Sequence, residues 1–72
     1  MDMKEKLAVI EEMMDLDEGT LAEDTVLKDL EEWDSITRLS LMIYFEEEQG
    51  KKISGDEIKA FTTVKDITDL ID

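Results

Sequence analysis

Apolar residues recur at helical spacing over most of this chain. Met3, Leu7, Ile10 and Met14 fall at i, i+4, i+7 and i+11, a single stripe on a first helix. Asp2 can cap that helix, with Glu5 three residues on as the reciprocal partner of a capping-box-like pair. Val9 and Met13 lie off the stripe, so part of the helix should show apolar surface, and it should be finished by Gly19. The strongest signal runs from Ser35 to Gln49. Ile36, Leu39, Met42 and Ile43 share one face there, and Leu41 and Phe45 lie nearly opposite. A helix apolar on two sides is expected to be central and packed by neighbours on both. Gly50 should end it in the left-handed position, with Lys51 and Lys52 following the negative end of the dipole. Ser54 and Glu57 form a second capping-box pair, opening a short helix through Ala60 that carries Ile58. Thr63 can cap a last helix in which Val64, Ile67, Leu70 and Ile71 recur.

Residues 15–34 break the pattern. They hold nine carboxylates and one base, Lys28, for a local charge of -8. A structureless connection of that length is unusual in a compact domain. Leu16, Leu21, Val26, Leu27 and Leu30 supply apolar anchors, so the segment should be a long loop pinned to the core, with room for a helical turn near Val26 to Leu30. The expected fold is all-α: a small antiparallel four-helix bundle, three main helices plus one short one, with a long acidic first loop. Residues 1–72 should form one domain.

Charge narrows the function classes. There are 21 acidic residues against 8 basic ones, a formal charge of -13. Nucleic-acid phosphates and anionic lipid repel such a surface, so neither nucleic acid nor membrane is expected as a partner. Basic patches on other proteins should attract it. The chain has no His and no Cys, which removes the usual zinc ligands, a thiol nucleophile and the commonest general base. No stretch approaches a transmembrane span and the N-terminus lacks an apolar signal core, so a cytoplasmic, soluble, helical protein is expected, and a monomer. With 42% hydrophobic residues at helical spacing, the chain should fold rather than remain disordered.

Ser35 is the residue with the most chemical potential. It sits in Leu30-Glu31-Glu32-Trp33-Asp34-Ser35-Ile36, where the acidic loop ends and the longest apolar helix begins. Asp or Ser at such a place is commonly just an N-cap. A catalytic serine would need a base, and no His is available to serve as one. The alternative is an attachment point, because a phosphodiester there would be stabilised by free N–H groups and the positive end of the helix dipole.

The run Leu30-x-x-Trp33-Asp34-Ser35-Ile36, continued through Leu39, Leu41, Phe45, Glu46-Glu47-Glu48 and Gly50, resembles acyl carrier proteins. Ile53, Asp56-Glu57-Ile58, Phe61-Thr62-Thr63-Val64 and Asp66-Ile67 extend the likeness over essentially the whole chain. The family's Asp-Ser-Leu motif stands here as Asp34-Ser35-Ile36. The resemblance implies a discrete carrier, not an enzyme. A phosphopantetheinyl transferase would move 4'-phosphopantetheine from coenzyme A onto Ser35, with Asp34 and Ile36 flanking the arm. The arm's thiol would then carry an acyl or aminoacyl thioester between loading and transferring enzymes with basic docking patches. By the same likeness, Ile36, Leu39, Glu46, Glu47 and Glu48 lie on the helix those partners dock against, and Ile53, Ile58 and Phe61 would line or gate an acyl chain threaded into the bundle. At helical spacing, though, these apolar residues should be core first.

Thr37, Arg38 and Ser40 stand where fatty-acid carriers are often acidic, Gln49 replaces a bulky apolar residue, and Phe61 is larger than the usual aliphatic. These departures point to a specialised biosynthetic pathway rather than bulk fatty-acid synthesis. Trp33 should anchor the loop end against the core, with contact to the arm as its alternative role. Asp15-x-Asp17-x-Gly19 is similar to a calcium loop, but the places for the loop's Gly and final Glu hold Thr20 and Val26, so no metal ligands are assigned. A rival from another class is an acidic interaction module or inhibitor without a prosthetic group, which would explain the charge but not Asp34-Ser35-Ile36.

Overall fold

A computed structural model describes residues 1–71. Four helices follow one another: α1 (Met3–Met13), α2 (Ser35–Glu48), α3 (Gly55–Lys59) and α4 (Val64–Thr68). α2 packs on α1 and α3, and α1 packs on α4. The all-α bundle is therefore as expected, but its proportions differ. Two helices are long and two are single short turns, because α4 as well as α3 spans only five residues.

The caps explain most boundaries. The Glu5 N–H donates to Asp2 Oδ1 at 2.8 Å, which is the Asp2 half of the expected pair. α1 stops at Met13, well inside the Gly19 limit. Asp15 turns left-handed there (φ 57°), and the Leu16 N–H donates to the Glu11 carbonyl at 2.8 Å. Gly50 (φ 65°) closes α2 in the left-handed region, where a Cβ would be strained. The Ser54–Glu57 capping box opens α3. α4 is started by Asp66, whose Oδ2 accepts from the N–H groups of Thr62 (2.7 Å) and Thr63 (3.1 Å).

The core draws one or two side chains from each piece: Ile10 from α1 and Met14 at its C-cap, Leu41 and Phe45 from α2, Ile58 from α3, Val64 and Ile67 from α4. Each such side chain contributes about 1.5–3 kcal/mol when fully buried. Leu21 and Leu27 from the acidic segment are buried with them, and Leu16 and Leu30 pack on the cluster. The segment is thus pinned as anticipated, with a 3-10 turn at Leu27–Asp29. Its far end is also stitched to the entry of α4. Leu27 N–H donates to the Thr62 carbonyl, Val64 N–H to Thr25 and Lys65 N–H to Glu23, at 2.9–3.0 Å. Among the described residues, no helix is long and apolar enough to cross a membrane.

Glu11 was not visible as a structural residue in the apolar pattern. It is 3% exposed, and its Oε2 accepts the Leu21 N–H at 2.9 Å, tying α1 to the acidic segment. A buried carboxylate is tolerated there because it satisfies a backbone donor that would otherwise be orphaned.

Candidate functional site

The start of α2 divides two jobs between adjacent residues. Asp34 is the N-cap, in extended backbone, and its Oδ1 accepts the Thr37 N–H at 2.9 Å. That bond holds the Asp34 carboxyl below its ordinary range. Ser35 is the first helical residue and is exposed, and its hydroxyl makes no hydrogen bond among the described residues. Capping therefore falls to Asp34, and the serine oxygen at the positive end of a 14-residue helix is left over.

Arg38, one turn on, reaches back to this corner. Its guanidinium donates to the Trp33 carbonyl at 3.1 Å and lies 6.0 Å from the centroid of the Trp33 ring. Trp33 is half-buried against the core, as its anchoring role required. The cation that sequence alone would leave in solvent is thus committed to holding the loop end, which fixes the backbone immediately before Asp34-Ser35.

The second apolar face of α2 departs from expectation. Leu41 and Phe45 are buried, but Ile36, Leu39 and Ile43 are 74%, 56% and 47% exposed. No neighbour covers this face among the described residues, so Ile36 and Leu39 are surface residues and not core. At about 100° per residue, Glu46 and Glu47 project along the same stripe as Ile36 and Ile43, whereas Glu48 turns roughly a third of the way round. All three carboxylates are exposed. The structure thus brings Ile36, Leu39, Glu46 and Glu47 onto one continuous face with Ile43, and sets Glu48 beside it.

The residues expected to gate an acyl chain separate likewise. Ile53 and Ile58 are 7% and 1% exposed, packed in the core. Phe61 is half-buried and faces two surface grooves. Among the described residues, no group of three or more carboxylates is arranged to hold a metal ion.

With that geometry in view, comparison with known families is decisive. Residues 7–71 match the family described as "Phosphopantetheine attachment site". The chain belongs to this family. No curated protein and no solved structure matches it. Members carry a covalent 4'-phosphopantetheine and act as carriers rather than catalysts, so this chain is a thioester carrier whose cofactor is 4'-phosphopantetheine. Carrier domains of this kind meet a phosphopantetheinyl transferase and the biosynthetic enzymes that load and unload the arm.

Proposed function

We propose that Ser35 is the attachment residue of a carrier serving a specialised pathway. The observation that carries this reading is the exposed, unbonded Ser35 hydroxyl beside a neighbour that already performs the cap. The residues fit the group: a free hydroxyl, first-turn N–H groups and the positive end of the dipole all favour a phosphodiester. In the transfer, the Ser35 oxygen forms a bond to the pantetheine-side phosphorus of coenzyme A. The bond from that phosphorus to the bridging oxygen breaks, and adenosine 3',5'-bisphosphate leaves. The serine proton goes to a base on the transferase, since the neighbouring Asp34 carboxylate is engaged by the Thr37 N–H and held below its ordinary range, which makes it a weak base. Bound, the group supplies the thiol that holds the acyl cargo.

The partner face follows from α2. Ile36, Leu39 and Ile43 give an apolar centre and Glu46 and Glu47 an anionic edge, which suits an enzyme surface with an apolar socket rimmed by Lys or Arg. Thr37 is buried, Arg38 is tied to Trp33 and Ser40 is half-buried, so the first turns of this face offer no carboxylate to a basic patch. That supports partners other than fatty-acid elongation enzymes.

Incubation with coenzyme A, magnesium and a broad-specificity transferase should add one phosphopantetheinyl mass, mapped to Ser35 by peptide sequencing. Ser35→Ala should stay unlabelled while remaining folded. Label on Thr37 or Ser40, or none, overturns the assignment.

A further inference from the structure

Beyond the attachment corner, the surface shows two grooves that meet at Phe61 and carry opposite charge. One, of about 310 Å³, is lined by Lys28, Trp33, Lys59, Ala60, Phe61 and Thr62. The other, of about 560 Å³, shares Ala60, Phe61 and Thr62 but is flanked by Glu57, Asp66 and Asp69. On a chain with a formal charge of -13, the first groove is an unusual concentration of cations. Lys28 is the sole base in residues 15–34, and it lines this groove.

The two sets of charges differ in how they are engaged. Asp66 already accepts from Thr62 and Thr63, and Asp69 is paired with Lys65 at 3.0 Å. Lys28 and Lys59 make no hydrogen bond or ion pair among the described residues. Their ammonium groups are therefore available to an anion, and Trp33 and Phe61 add apolar faces to the lining of the same groove. The first groove is also the one joined to the attachment corner. Trp33 is two residues from Ser35, at most about 7 Å between Cα atoms along the chain. No residue of α2 or of the acidic segment lines the second groove.

We propose that the groove between Trp33 and Phe61 receives the tethered cargo, and that it favours a short acyl or aryl thioester bearing a carboxylate at its far end. The inference rests on Ser35 carrying the arm and names the substrate class of that carrier. Ile53 and Ile58 are packed in the core, whereas Trp33 and Phe61 line an open groove, so a short cargo reaches the surface against these two rings without displacing core side chains. The terminal carboxylate sits between Lys28 and Lys59. A cationic cargo is disfavoured there by the same two charges, and a neutral one gains only the apolar contact.

The test loads the chain with three cargoes of equal length: glutaryl, pentanoyl and 5-aminopentanoyl, each delivered from its coenzyme A thioester by the transferase. Intact mass confirms loading before amide chemical shifts and Trp33 emission are recorded. The glutaryl form should perturb Lys28, Trp33 and Lys59 to Thr62, with a docked population about two- to tenfold above the pentanoyl form, as two exposed charge contacts allow. The double variant Lys28→Gln, Lys59→Gln, at exposed positions outside the core, should erase that difference without altering loading. Equal perturbation by glutaryl and pentanoyl, persistence of the difference in the double variant, or a response confined to the 5-aminopentanoyl form near Glu57, Asp66 and Asp69 overturns the proposal. A chain that gains no mass fails the carrier reading and takes this one with it, whereas a loaded chain lacking the glutaryl response overturns this one alone.

Discussion

Asp34 and Ser35 are neighbours with separable consequences. Because Asp34 does the capping, Ser35→Ala should leave the melting temperature nearly unchanged while abolishing modification. Asp34→Ala should lower the melting temperature and leave the hydroxyl in place. A large loss of stability in Ser35→Ala would show that the cap is shared. The two caps also set an acid limit. Asp34 is held below its ordinary range chiefly by the Thr37 N–H, and Asp66 by the N–H groups of Thr62 and Thr63. A depressed folded-state pKa means that the stabilisation is fully present above the unfolded carboxylate value, about 3.9, and is lost as pH falls through the folded value. Thermal scans from pH 7 down to 3 should therefore show the Asp66→Asn and Asp34→Asn deficits constant above about pH 5 and shrinking below about pH 4. Deficits that vanish already at pH 6 would refute this account. Glu11 is a third carboxylate that accepts a backbone N–H, here from Leu21 across the α1–loop contact. Glu11→Leu orphans the buried Leu21 N–H and should cost about 1–3 kcal/mol in urea unfolding, with Glu11→Gln recovering much of it through its carbonyl. Equal losses in both variants would argue that the bond is not what matters.

At the scale of elements, α2 is the informative one. Its two apolar faces are indistinguishable by periodicity, yet one holds the core and the other meets solvent. Phe45→Ala should cost about 3–5 kcal/mol by leaving a cavity in the core cluster. Ile36→Ser and Leu39→Ser should change stability by no more than about 0.5 kcal/mol, being surface changes. The same two should slow phosphopantetheinyl transfer at limiting carrier concentration roughly fivefold to thirtyfold each if they anchor the partner. A transfer rate unaffected by both would remove α2 as the docking face. Arg38 is a poor probe of partner charge, since Arg38→Glu would also release Trp33. Ser40→Glu is the cleaner change, and it should improve loaded chain as a substrate of fatty-acid elongation enzymes, most at low ionic strength. No improvement would weaken the specialised-pathway reading.

Charge acts on the whole molecule. A formal charge of -13 is confined to a body with a Cα radius of gyration of 11.0 Å, and the ion pairs among the described residues, Lys4–Glu18 at 3.9 Å and Lys65–Asp69 at 3.0 Å, are both exposed. Exposed pairs contribute little, so screening removes more repulsion than attraction. The melting temperature should rise with added sodium chloride and rise further with millimolar magnesium or calcium. Indifference to both would mean that the acidic segment is held by its leucines strongly enough to make repulsion irrelevant. Those anchors were legible in advance, as were the left-handed Gly50, the Ser54–Glu57 cap and the corner Asp34-Ser35, because each depends on residues close in sequence.

By itself the sequence determined the helical class, most caps, the pinned acidic segment and the family likeness, since short-range spacing and backbone chemistry act within a few residues. Only the tertiary structure decided which face of α2 is buried, because Ile36, Leu39 and Ile43 have the same pattern value as core residues until the neighbours are in place. It alone committed Arg38 to Trp33, buried Glu11 beneath Leu21, and brought Lys28 from one loop and Lys59 from another helix to a shared groove. The reason is common to all of these. Burial and charge pairing are set by elements distant along the chain, and a sequence pattern carries the period of a helix but not the identity of what packs against it.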